Sequence, residues 1–191
     1  SMMPRSCLFP DHPDEYRDLV SLFSHEYLHQ WNVKRLRPKC FLDYDLQSET
    51  HTDLLWWFEG ATSWLGDMIC VRSGAWTEED WRLDFERKMK RHTASNGMLR
   101  ESLSESSHDA WIHLYRSGPY TRESQISYYL EGELALLCLD TELRRRNNDT
   151  FGACDLMAEL VRRYAISSDE ADELGVDYSD IRKTLKSCPG G

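Results

Sequence analysis

The chain has 191 residues, of which 40% are hydrophobic and 29% charged, and its formal charge is −10. That balance suits one soluble globular domain with a proper core, and the negative charge argues against a nucleic acid or an anionic membrane surface as partner. An aromatic content of 12% is higher than disordered or coiled-coil chains carry.

Residues 1–15 are polar and hold several prolines, with no signal-peptide pattern. Ser1 before Met2 and Met3 resembles an expression scar, so the chain is expected to be a piece of something longer. Pro13 with Asp14 and Glu15 marks a helix start, acids in the first turn suiting the helix dipole. Leu19, Val20, Phe23, Tyr27 and Trp31 follow as an apolar stripe at three-and-four spacing, and Pro38 ends any continuation. The basic run Lys34-Arg35-Leu36-Arg37-Pro38-Lys39 reads as a solvated or helix-terminal face. Residues 39–52 read as a loop.

A second helix is predicted from about Asp53 to Arg72, stopping near Ser73-Gly74. Its apolar stretch, Leu54 to Val71, contains Glu59 and Asp67 and therefore reads as a buried helix, not a membrane span. Thr77-Glu78-Glu79-Asp80 resembles a capping box opening a third helix to about His92. Residues 95–125 read as irregular, with Trp111, Tyr115 and Tyr120 expected to cluster and order them. Further helices are predicted at about Ser127 to Arg146, Phe151 to Tyr164 and Ser179 to Lys186, with an acidic loop over Ser167 to Asp177. Almost no alternating strand pattern is visible. The six cysteines are scattered without a C-x-x-C pair, which points to reduced thiols and a cytoplasmic setting. Cys70 and Cys138 read as small core residues.

The first helix carries His25-Glu26-Tyr27-Leu28-His29, an H-E-x-x-H pattern. Residues four apart share a helix face, so both imidazoles can grip one metal ion. Glu26, rotated about 100° from His25, is placed to act as base on a water without being a ligand. Catalytic zinc takes three protein ligands and an open position. Glu59, an acid on a buried helix, is the candidate third ligand; the alternative is an ion pair to Arg35 or Arg37. Ser63 and Asp67, four and eight residues after Glu59, are candidates to orient a ligand histidine. Tyr128 and Tyr129 open a helix beside the irregular segment, either as packing residues or with one hydroxyl in a cleft to stabilise an oxyanion. His12, His51, His92, His108 and His113 lack ligand spacing and read as surface or loop residues, His108 and His113 at most lining a cleft.

Residues 24–38, 55–63, 104–112 and 126–134 together make the chain similar to the glycyl-aminopeptidase family, family sixty-one of the metallopeptidases, over about residues 19–185. The resemblance implies a mainly α fold, the helical thermolysin-like catalytic core of a gluzincin zinc peptidase with little β. One Zn2+ per chain would be held by His25, His29 and Glu59, with Glu26 as base. The Tyr-x-Lys-Gly pattern of related aminopeptidases falls on Tyr129-Leu130-Glu131-Gly132, which selects Tyr129 as oxyanion donor and leaves Glu131 where the pattern has lysine. Relatives also carry an amino-terminal β-rich domain, a substrate strand that anchors the free amine, and a PDZ domain. Residues 1–191 are thus expected to be one catalytic domain without them, holding zinc but cleaving peptides weakly. The implied activity is removal of small amino-terminal residues, Gly or Ala, from peptides. The rival readings are an endopeptidase of the same clan and a non-catalytic module stabilised by zinc; closed structural sites favour cysteine, and the lack of one near His25 and His29 in sequence weighs against the latter.

Overall fold

Helix α2, Leu55–Arg72, is apolar on nearly every side, and the other helices are arranged around it. A computed structural model describes residues 3–9, 11–43, 45–113, 116, 118–165 and 174–191. Trp57, Phe58, Ala61, Trp64 and Leu65 of α2 are buried at the centre of the core. The helix stops at Ser73, followed by Gly74 at φ +78°, a left-handed position that glycine adopts without strain.

Helix α1, Pro13–Leu28, begins with proline and two acids, as its sequence requires. Helix α3, Glu78–Thr93, is opened by the expected Thr77–Asp80 capping box. The stretch read as irregular holds two short helices, α4 (Leu103–His108) and α5 (Thr121–Ser124). α4 has its own capping box, Ser102 with Glu105, a signal present in the sequence but hidden by the surrounding Ser and Gly. Helix α6, Tyr128–Arg146, starts at the N-cap Ser127 and ends on three arginines. Helices α7 (Ala153–Tyr164) and α8 (Tyr178–Ser187) pack on one another and close the core with Leu156, Leu160 and Ile181. Among the described residues the only strand-like pairings are two isolated bridges, Asn32 with Leu36 and Pro38 with Val176. No described helix is long and apolar enough to cross a membrane. The fold is mainly α, as expected.

The most extensive helix pair is α2 with α6. It rests on Gly60 and Gly132: a Cβ on Gly60 would run into the Gly132 backbone, and one on Gly132 into the Trp56 carbonyl. Nearby, the Lys88 ammonium of α3 is surrounded by Asp67, Asp84 and Glu133, bonding the last two at 2.7 and 2.6 Å. Three buried carboxylates share one cation, so full ionisation is unfavourable. Burial, with the neighbouring Asp67 and Asp84 charges, lifts the Glu133 carboxyl to about 8 despite Lys88.

Several expectations fail here. The outer half of the α1 stripe is not core: Phe23 and Tyr27 are 65% and 66% exposed. α1 meets α2 through a different, polar face, where Ser24 Oγ donates to the Gly66 carbonyl at 2.9 Å. Cys138 is exposed while Cys70 is buried, and all six cysteines are free. Trp111 and Tyr120 are exposed at the surface; Tyr115, the third member of the expected aromatic cluster, lies outside the described residues, as does most of the predicted acidic loop (166–173).

Gly60→Ala is expected to destabilise the chain by about 1–3 kcal/mol or more, since overpacking here strikes backbone. Gly118→Ala, which meets open space, should stay within about 0.5 kcal/mol. Denaturant unfolding of the two variants side by side checks both.

Candidate metal centre

The site is the middle of a polar ladder between α1 and α2. Ser21, His25 and His29 succeed one another at i+4 along α1, and Glu59, Ser63 and Asp67 do so along α2. They meet in reverse order, as antiparallel helices require. Ser21 Oγ donates to Asp67 Oδ1 at 2.8 Å; Ser63 Oγ lies 3.2 Å from His25 Nδ1; Glu59 Oε2 lies 3.1 Å from His25 Nε2 and 3.3 Å from His29 Nε2.

Each imidazole is held by its far nitrogen. Ser63 takes His25 Nδ1, and the Asn32 carbonyl takes His29 Nδ1 at 2.9 Å. Both Nε2 atoms therefore turn toward Glu59. His25, His29 and Glu59 are the one trio among the described residues whose ligand atoms lie close enough to hold a metal, all within 4.8 Å. Two imidazoles and a carboxylate, each ring anchored by its second nitrogen, match the donor set and outer hydrogen bonding of a zinc site with an open position.

Electrostatics agree with the geometry. Burial alone would raise the Glu59 carboxyl, but hydrogen bonds from His25 and His29 and their charge bring it down to about 2. For His29, burial opposes protonation, yet Glu59, the Asn32 carbonyl and the Glu26 charge together lift its pKa above the ordinary value.

The ladder opens on a cleft of about 740 Å3 whose lining includes Glu59, Tyr128, Tyr129, Lys34, Arg37 and Trp111. The Tyr129 ring centre is 6.1 Å from that of His25, so α6 brings this tyrosine to the histidines. Tyr128 is buried, as expected, but stacks on Tyr129 at 4.7 Å and reaches the cleft wall as well. Glu26 is exposed and lines a separate groove on the outer side of α1, with Phe23, Tyr27 and Ile69. Its link to the centre is its charge on His29.

Of the two candidates for orienting a histidine, Ser63 does so and Asp67 does not; Asp67 is buried against Ser21 and Lys88. The alternative partners for Glu59 are engaged elsewhere, Arg35 over the Trp31 ring and Arg37 on the Lys34 carbonyl. Glu131, at the position of the pattern's lysine, bonds His92 Nδ1 at 2.8 Å. His108 lines the cleft, stacked on His51, whereas His113 pairs with Glu101 instead. Asn32, which orients His29, is a site residue that sequence reasoning misses, because it acts through its backbone carbonyl and that contact carries no side-chain signal.

A family profile described as M61 glycyl aminopeptidase matches residues 18–135. A crystal structure of an aminopeptidase N family protein from Idiomarina loihiensis superimposes with a TM-score of 0.78 at 33% identity, covering 89% of this chain and 31% of that one. This chain therefore spans under a third of that relative's length. No curated protein matches it.

In the metal-free chain the His29 ring should titrate above 6.5, the ordinary histidine value. Its protonated form then stabilises the fold fully below 6.5, and that contribution fades as pH rises through the raised pKa. Glu59→Gln removes the main partner and should bring the titration back down; NMR of the imidazole resonances in both chains checks it.

Proposed function

The chain belongs to the M61 glycyl aminopeptidase family, and we propose that its helices hold the zinc site of a peptidase that removes small amino-terminal residues, Gly or Ala, from peptides. The observation that carries this reading is the meeting of His25 Nε2, His29 Nε2 and a Glu59 carboxylate oxygen, with both Nδ1 atoms anchored. The preference for small residues rests on the family's description and on the relative's naming as an aminopeptidase.

His25, His29 and Glu59 would hold the ion. When bound, zinc supplies positive charge that acidifies water to a pKa of about 7 and polarises a carbonyl. Glu26 stands one residue from His25, outside the ligand trio, and lines the groove on the outer side of α1; as base it would turn from that groove toward the ion, take a proton from the attacking water and hand it to the leaving amine. Tyr129, near the His25 ring and on the cleft wall, donates its hydroxyl hydrogen to the oxygen that gains charge as the amide carbonyl is attacked. The carboxylate of Glu59 stays ionised because its surroundings keep its pKa near 2. A purely structural zinc site would use four protein ligands; here three donors converge among the described residues, which supports a reactive position.

The purified chain is expected to bind one zinc, and His25→Ala, His29→Ala and Glu59→Ala each to lose it, read by elemental analysis. Glu26→Gln should keep the metal while hydrolysis of Gly- or Ala-nitroanilide falls by about 10²–10⁴. Tyr129→Phe should lower kcat by about 10²–10³ with KM little moved. Zinc loss in Glu26→Gln would instead make Glu26 a ligand and end its role as base.

A further inference from the structure

The basic run after the metal helix divides in two. Arg35 is spent locally: its guanidinium lies 5.6 Å from the Trp31 ring centre and donates to the Gln30 carbonyl. Lys39 pairs with Asp177 and Asp180 at 3.3 and 2.8 Å. Lys34 and Arg37 are different. Both line the cleft that contains Glu59 and Tyr129, and among the described residues neither is in an ion pair. Acids are not scarce, since the chain holds 33 Asp and Glu against 23 Lys and Arg. Lys34, exposed, and Arg37, half-buried, make this stretch of the cleft wall positive, while Asp45 and Glu59 are the acids on the rest of its lining.

The backbone fixes them there. The Lys34 amide donates to the carbonyl of His29 at 3.0 Å, so this lysine is one hydrogen bond from a residue of the metal trio. Arg37 Nε donates to the Lys34 carbonyl at 3.1 Å, which holds the guanidinium beside Lys34 and leaves its two terminal nitrogens as a fork. The Arg37 carbonyl accepts from the Val176 amide at 2.8 Å. Between His29 and Lys34, Val33 has φ +112°, a conformation that a β-branched residue adopts only under strain.

We propose that Lys34 and Arg37 form a carboxylate-recognition wall that sets which end of a peptide lies along the cleft, an inference that rests on the peptidase reading above. A guanidinium fork with an adjacent ammonium suits a carboxylate. A free amine is repelled there, so the amino end of the substrate points away from this wall and the carboxylate lies against it. The carboxylate is either the terminal group of a short peptide or an Asp or Glu side chain downstream of the cleaved bond. The wall therefore makes short peptides or acidic ones the favoured substrates.

The test is calorimetric titration of the zinc-loaded 191-residue chain carrying Glu26→Gln, so that peptide is not consumed. The ligands are Gly-Gly-Ala, its carboxy-terminal amide, and Gly-Gly-Asp amide. Gly-Gly-Ala is expected to bind about tenfold more tightly than its amide, as charge-assisted hydrogen bonds allow. That difference should vanish when Lys34→Gln and Arg37→Gln are added, and return in part with Arg37→Lys. Recovery of affinity by Gly-Gly-Asp amide assigns the site to side-chain carboxylates as well; its absence assigns it to the terminal carboxylate. Equal affinity for acid and amide, no binding of any of the three, or a preference that survives both Gln substitutions would overturn the proposal. A chain that fails to hold zinc contradicts the peptidase reading instead, and the acid-to-amide ratio is still measurable on it.

Discussion

The polar ladder between α1 and α2 is the interaction on which the site depends. A helix that buries Trp57, Phe58, Trp64 and Leu65 has little room for charge, yet α2 places Glu59 and Asp67 two turns apart within it. An unpaired carboxylate in such surroundings is costly. α1 answers each in turn: two imidazoles meet Glu59, and Ser21 together with Lys88 of α3 meets Asp67. The same requirement for satisfied polar groups thus sets the register of α1 on α2 and assembles a ligand trio. Sliding α1 by one turn would place Ser21 against Ser63 and His25 against Glu59 and would carry His29 past the acid, so both imidazoles reach Glu59 in this register.

The two acids are settled by different means, and the difference separates chemistry from architecture. Glu59 is held ionised, its pKa near 2, by groups that can equally bind a cation. At the other end, Lys88 is a permanent cation shared by Asp67, Asp84 and Glu133, and burial, with the charges of the neighbouring acids, lifts Glu133 to about 8. One end of the ladder is closed by protein charge; the other ends in three donors that could hold an ion. Helix α6 serves both ends. Its contact with α2 at Gly60 and Gly132 allows backbones to meet, with Tyr129 on one side of that contact in sequence and Glu133 directly after it.

Much of this is legible in the sequence because the signals are local. The i, i+4 histidines, the acid inside an apolar run, and the Thr77 and Ser127 caps each fix a helix or a face without reference to the rest of the chain. What is not legible depends on which face of a helix finds a partner. Phe23 and Tyr27 obey helical periodicity as well as Leu19 does, yet α2 offers a polar row and close backbone at Gly66, so α1 turns its serine and histidine side inward. Cys138 is misread for the same reason: its apolar neighbours Leu136 and Leu143 face the core, and it does not. The fates of Lys34, Arg35, Arg37 and Lys39 differ although they sit within six residues. Only the path of the loop separates them, and no pattern of spacing encodes that path.

The path itself hangs on Asn32. This buried side chain donates from Nδ2 to the Phe58 carbonyl at 3.0 Å and to Thr62 Oγ1 at 2.9 Å, both on α2. Its own carbonyl takes His29 Nδ1. One residue therefore clamps the loop to the helix of the third ligand while orienting the second. The clamp has a local cost, because Val33 must then turn at φ +112° for its amide to reach the Leu36 carbonyl at 2.8 Å. Strain of that kind is about 1–3 kcal/mol, within reach of two buried hydrogen bonds and the packing of Val33 and Leu36 against the core. A glycine at 33 would relieve the strain but forfeit that packing and leave Lys34 less firmly placed. The ligand geometry and the cationic wall are accordingly not separate features: both follow from how Asn32 ties the end of the histidine helix to α2.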